Sequence, residues 1–134
     1  MLDIEGVKRF HGHWCPGLTI GIRVAEVALR EIGSHSEDEE IVAIVETDNC
    51  AVDAIQYLVG CTFGKGNLIH LDYGKNAFTF IRRSDGKAIR IVVRPGRFGE
   101  EDSALADLAR KARQGQATEA EREQLRQARI RQIL

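Results

Sequence analysis

Cysteine is scarce and scattered in this sequence: there are three, and no two of them form a Cys-x-x-Cys pair. An odd, widely spaced set excludes the disulfide framework of a small secreted domain and the four-cysteine structural zinc ribbon. The thiols are then buried apolar groups, nucleophiles or metal ligands. Long hydrophobic runs are missing too, so no segment reads as a membrane span. The opening Met1-Leu2-Asp3-Ile4-Glu5 has neither the basic stretch nor the apolar core of a secretory leader, and the expected location is the cytoplasm. Charge of one sign is also lacking. A formal net charge of -1 gives no pull toward nucleic acid or an anionic membrane. Disorder is excluded by 43% hydrophobic against 29% charged residues, and 134 residues suffice for a domain with a working core.

What is present has clear periodicity. Ile4 to His13 can form a short helix, weakened by its glycines. Leu18, Ile22, Ala25, Leu29 and Ile32 recur at steps of three and four, which predicts a helix with one apolar face, Pro16 at its front and Gly33 at its close. Ile41-Val-Ala-Ile-Val45 is β-branched and almost continuously apolar, as a buried strand would be. It runs into the polar cluster Glu46-Thr-Asp-Asn-Cys50 and a helix from about Ala51 to Val59, capped by Asp48 or Asn49. After a glycine-rich loop, Gly60 to Gly66, come an extended stretch at Leu68 to Leu71 and strands at Ala77 to Arg82 and Ala88 to Val93. Ser84-Asp-Gly86 joins the last two as a hairpin. The expected fold is α+β, an antiparallel or mixed sheet packed with helices, over residues 1–99. Residues 100–134 are expected to form a C-terminal helical pair. A stripe of Leu105, Leu108, Ala109 and Ala112 makes the first helix, and the capping box Thr118-Glu-Ala-Glu121 opens the second. With equal numbers of acidic and basic residues, the pair is expected to pack on the core or on a partner subunit.

His11-Gly-His13-Trp-Cys15 places three borderline-soft donors within five residues. Imidazole nitrogen and thiolate sulfur suit zinc first, with nickel and iron as alternatives, and not calcium or magnesium. A regular helix would spread the three side chains around its axis, so convergence requires a backbone break here. Cys50, at the junction of strand and helix, and Cys61, just past that helix, complete the candidate metal set of His11, His13, Cys15, Cys50 and Cys61; each cysteine taken singly can equally be a packed thiol. Asp48 and Asp53 flank Cys50, and either can orient a ligand histidine or act as a base. As catalytic candidates we take Cys15, Cys50 and Asp53. Lys65, between Gly64 and Gly66, is the candidate for an anionic cofactor group, although the phosphate-loop spacing is absent and a surface turn is the alternative. Trp14 either walls off the site or belongs to the core. Neither His35 nor His70 receives a role.

Four stretches together carry a family resemblance: His11-Gly-His-Trp-Cys-Pro-Gly17 leading to Gly21-Ile-Arg23; Glu46-Thr-Asp-Asn-Cys-Ala-Val-Asp53; Gly60-Cys-Thr-Phe-Gly-Lys-Gly-Asn67; and Asp72-Tyr-Gly-Lys-Asn-Ala-Phe-Thr79. In this order and spacing they resemble the FmdE family, named for a component of formylmethanofuran dehydrogenase. The resemblance implies an α+β core with a metal-binding cavity, usually paired into a homodimer. His11, His13 and Cys15 match the family's first motif, Cys50 its second and Cys61 its third. It further implies a link to the molybdenum- or tungsten-dependent enzyme that makes formylmethanofuran from carbon dioxide in methanogenesis. Many members continue into a cysteine-rich zinc finger, whereas here no cysteine follows Cys61. Two functions follow as expectations. One is a metal-binding protein that acts as a metal-dependent enzyme or redox subunit on a small molecule in one-carbon metabolism. The other is a non-catalytic accessory module that delivers metal or cofactor to a larger molybdenum or tungsten oxidoreductase.

Overall fold

The structure is a computed structural model that describes residues 2–34, 38, 40–94 and 110–133, with side chains for all of these except 129 and 131–133. It divides into two compact units, Met1–Val93 and Arg94–Leu134.

In the first unit, helix α1 spans Ile4–His11 and α2 spans Pro16–Glu31. Asp3 caps α1, its Oδ1 accepting from the Gly6 amide at 3.0 Å. Gly12 stops it in the left-handed conformation at φ 106°, so the helix ends before His13. Pro16 occupies the first turn of α2, where its missing N–H costs nothing. Leu18, Ile22, Ala25 and Ile32 are buried as the periodicity requires, and Leu29 packs at their edge.

Strand β1 is Ile41–Val45, followed by the short helix α3, Ala51–Ala54, which widens into a π-helical turn over Ile55–Val59. Strands β2 (Leu68–His70), β3 (Ala77–Arg82) and β4 (Ala88–Val92) complete a four-stranded mixed sheet in the order β2-β1-β3-β4. β2 runs parallel to β1, and β3 is antiparallel to both β1 and β4. The parallel pair needs a crossover, and α3 with its π turn supplies it. Ile41, Ala43 and Val45 of β1 lie beside Phe80 and Phe78 of β3 on one face, and these five bury themselves against the helices. The polar segment that follows β1 is thereby delivered to the end of the sheet nearest α1 and α2.

In the second unit, residues 110–113 are helical, Gly115 turns the chain, and α4 spans Glu119–Ile133. The capping box at its start is reciprocal: the Glu121 amide donates to Thr118 Oγ1 at 3.1 Å, and the Thr118 amide donates to Glu121 Oε1 at 3.0 Å. Leu125 is buried against Ala112 and Ala128. The stripe Leu105, Leu108 and Ala109 lies outside the described residues. No helix among the described residues is long and apolar enough to cross a membrane.

Candidate metal centre

Three local events bring the donors together. The first is the break between α1 and α2. His11 is the last residue of α1, Gly12 reverses the backbone, and Cys15 stands in extended conformation as the N-cap of α2. The Cys15 sulfur accepts from the Leu18 amide at 3.4 Å, which fixes it at the head of the helix. The second is the polar turn after β1, where Asn49 Oδ1 accepts from the Ala51 amide at 3.0 Å and so sets Cys50 at the head of α3. The N-cap position itself falls on Cys50, which makes no side-chain capping bond, rather than on Asp48 or Asn49; Asn49 braces the turn just before it, and Asp48 is exposed. The third is the close crossing of α2 over α3. A Cβ on Gly21 would stand 2.4 Å from the Ala51 carbonyl oxygen and 2.8 Å from Ala54 Cβ, so only glycine permits this approach.

The result is a compact donor group. One ligand atom each from His11, His13, Cys15 and Cys50 lies within 4.8 Å of the others. A tetrahedral ion with Zn–N near 2.0 Å and Zn–S near 2.3 Å separates neighbouring donors by roughly 3.3–3.8 Å. The existing spread therefore needs only small side-chain adjustments to hold an ion, and the donor chemistry fits a borderline transition metal. His11 Nδ1 donates to Asp53 Oδ2 at 2.6 Å, because a carboxylate can only accept. That bond fixes the tautomer and leaves Nε2 with a lone pair, 4.0 Å from Cys15 Sγ. The imidazoles of His11 and His13 are stacked at an angle, with centroids 4.5 Å apart. Burial, followed by the neighbouring Cys15 thiol and the charge of Asp53, pushes the Cys50 thiol up from its ordinary value. Cationic charge placed among these groups relieves that penalty.

The donor group borders an open cleft of about 530 Å³. His11, Cys50 and Asp53 line it, together with Thr47, Asp48, Asn49 and Gln56. Phe63 and His70 also reach it; His70 does so because β2 alternation puts it on the same face as Val45. Sequence reading gave neither His70 nor Gln56 a role. The signal for Gln56 was present, three residues after Asp53 on one helical face; for His70 it required the β1–β2 register.

The remaining candidates sit elsewhere. Cys61 is wholly buried just past the π turn, and its Sγ donates to the Ile41 carbonyl at 3.3 Å, outside the four-donor group. Burial pushes its thiol up to about 11. Lys65 lines a separate surface depression with Asp38, Glu40 and Arg83. Glu46, at the end of β1, faces away from the cleft and forms a two-pronged ion pair with Arg90 at 2.9 and 3.1 Å, which holds its carboxyl below the usual range. Trp14 packs against the core with the Lys8 ammonium 4.7 Å from its ring centre. His35 lies outside the described residues.

A family model described as FmdE, molybdenum formylmethanofuran dehydrogenase operon, matches residues 10–134. A probable S-adenosyl-L-methionine-binding protein of Archaeoglobus fulgidus is 44% identical over 91 residues, which make up 64% of this chain and 25% of that protein. This chain therefore spans a quarter of the length of that relative. A tungsten formylmethanofuran dehydrogenase FmdE-like protein from Syntrophus aciditrophicus, known from its crystal structure, superposes with a TM-score of 0.61 at 28% identity. The match covers 93% of this chain and 64% of that one. With the family model covering nearly all of the sequence, and the fold shared with an FmdE-like protein, the chain belongs to the FmdE family.

Proposed function

We propose that this chain binds one zinc ion through His11, His13, Cys15 and Cys50 and presents it to a small molecule held in the adjoining cleft. The observation that carries this reading is the convergence of four nitrogen and sulfur donors at the edge of a cleft of about 530 Å³, a size suited to a metabolite. A zinc ion there would supply Lewis-acid polarisation of a donor atom on the bound molecule by expanding to five-coordinate or by exchanging one of the four protein donors. The chain's own residues do the rest. Asp53 holds His11 in the tautomer that offers Nε2, the Leu18 amide at the head of α2 anchors the Cys15 sulfur, and Asp48 and His70 offer polar groups to the cleft occupant. The occupant can belong to one-carbon metabolism, in keeping with the formylmethanofuran dehydrogenase association of the family, or resemble S-adenosyl-L-methionine, which the Archaeoglobus relative is named for binding. In this reading Cys61 is a core thiol and Lys65 a surface residue. The chain works as a homodimer in the cytoplasm.

A second reading has one specific observation behind it. Four protein donors can fill a tetrahedral zinc shell, the arrangement of structural sites, and this favours an accessory module that carries metal to a larger oxidoreductase.

Metal analysis of protein purified without chelator tests the donor set. The wild type is expected to hold one zinc per chain. His13→Ala and Cys50→Ala should lose most of it, and Lys65→Ala should keep it. Wild-type zinc content in both ligand variants would reject the site. A zinc that exchanges freely with an added apo-protein acceptor, and that no small molecule perturbs, would favour the carrier.

A further inference from the structure

The cleft rim and the donor group are joined by an unbroken run of hydrogen bonds. Asp53 uses its two oxygens in different directions: Oδ2 takes the His11 N–H at 2.6 Å, and Oδ1 takes the Gln56 side-chain N–H at 3.1 Å. The Gln56 amide oxygen in turn accepts the backbone N–H of Phe63 at 3.2 Å. One amide therefore spends its donor on the carboxylate and its acceptor on the loop, and a flip of that amide would break both bonds at once. Phe63 is 82% exposed at the cleft, an apolar ring left in water. Its loop is internally braced, with the Lys65 amide donating to Thr62 Oγ1 at 3.0 Å and the Thr62 amide to Asn67 Oδ1 at 2.9 Å. The backbone on either side of Phe63 is thus tied to the rest of its loop.

We propose that Gln56 is a positioning residue that couples the Phe63 rim of the cleft to the metal-ligating imidazole of His11 through Asp53. The inference rests on the metal-site reading above. A molecule that packs on Phe63 shifts the loop, and Gln56 transmits the shift to the carboxylate that orients the His11 ring. Conversely, fixing His11 on an ion orders Asp53, Gln56 and the Phe63 amide in sequence. Carboxylates in this position behind a ligand histidine change metal affinity by about ten- to a hundredfold when disturbed.

Amide hydrogen exchange on the full chain, with and without zinc alone, reads the coupling without any assay of activity. In the wild type, zinc is expected to slow exchange at the Phe63 amide. Gln56→Ala should abolish that zinc dependence while zinc binds about tenfold more weakly. Gln56→Glu separates the two ends, and being isosteric it guards against a fold lost in the alanine variant. At neutral pH it keeps an acceptor for the Phe63 amide but sets a second carboxylate against Asp53 in place of the donor, so the link to Asp53 is broken and the amide should be protected equally with and without zinc. Zinc binding with no change at the Phe63 amide of the wild type would overturn the coupling and leave the site standing. The same holds if Gln56→Ala retains full zinc-dependent protection. Failure of the wild type to bind zinc would overturn both.

Discussion

At the scale of single residues, Cys50 and Cys61 look alike in the sequence and differ in the folded chain. Each follows a turn and each stands near one end of the same helical segment. Cys50 faces the donor group, whereas Cys61 gives its S–H to the Ile41 carbonyl in a fully buried setting. What separates them is the position of β1, which no local pattern around Cys61 encodes. Their chemistry should differ accordingly. At pH 8 the metal-free protein treated with iodoacetamide is expected to alkylate at Cys50 and remain unmodified at Cys61, as peptide mass spectrometry would read. Equal labelling would place Cys61 at the surface. The pH dependence has a definite sign. A thiol whose folded-state value is raised to about 11 stabilises the fold fully below the unfolded value near 9, and the contribution disappears as the pH climbs from 9 through 11. A rise of that size corresponds to on the order of 3 kcal/mol, so urea midpoints should fall over that interval in the wild type and much less in Cys61→Ala.

At the scale of elements, the sequence makes most of the fold legible. The three- and four-residue spacing of α2, the β-branched run of β1 and the Ser84-Asp85-Gly86 turn between β3 and β4 all appear where their local chemistry puts them. The required break among His11, His13 and Cys15 is likewise found, at Gly12. The π turn after α3 was not legible. Neither glycine nor proline interrupts Ile55–Val59, and the side chains there answer to distant partners: Gln56 to the Phe63 amide, and the Tyr57 hydroxyl to Asp3 Oδ2 at 2.7 Å. Gly21 also hid its role, because a glycine within a helix signals weakness until the crossing helix is known. Replacing it by alanine gains up to about 1 kcal/mol of helix propensity. Against that, a Cβ 2.4 Å from a backbone oxygen forces α2 and α3 apart, at a cost of roughly 1–3 kcal/mol for overpacking. Gly21→Ala is therefore expected to lower stability. Because Cys15 heads α2 and Cys50 heads α3, it should also weaken zinc binding. Chemical denaturation with a competitive zinc titration checks both, and a variant as stable and as tight as the wild type would contradict the close crossing.

At the scale of the whole molecule, the helices of the first unit cover one face of the sheet, and the other face mixes apolar side chains with Thr79 and the Arg90–Glu46 ion pair. Ile69 is 44% exposed and Val92 57%, with Val42, Ile44 and Ile81 half-buried between them. The apolar part of that face is a second surface, besides the residues after Gly99, that the proposed homodimer can use. All four donors and all described residues that line the cleft belong to the unit Met1–Val93. Among the described residues, those after Gly99 contribute none of them, and the expectation that this segment reaches a partner subunit can be separated from metal binding by a single deletion. Truncation after Gly99 should leave one zinc per chain and convert a dimer to a monomer, measured by metal analysis and sedimentation velocity on the same sample. An unchanged dimer would assign pairing to the sheet face alone. Loss of zinc from a truncated chain that keeps its far-ultraviolet circular dichroism would mean that the second unit completes the metal site.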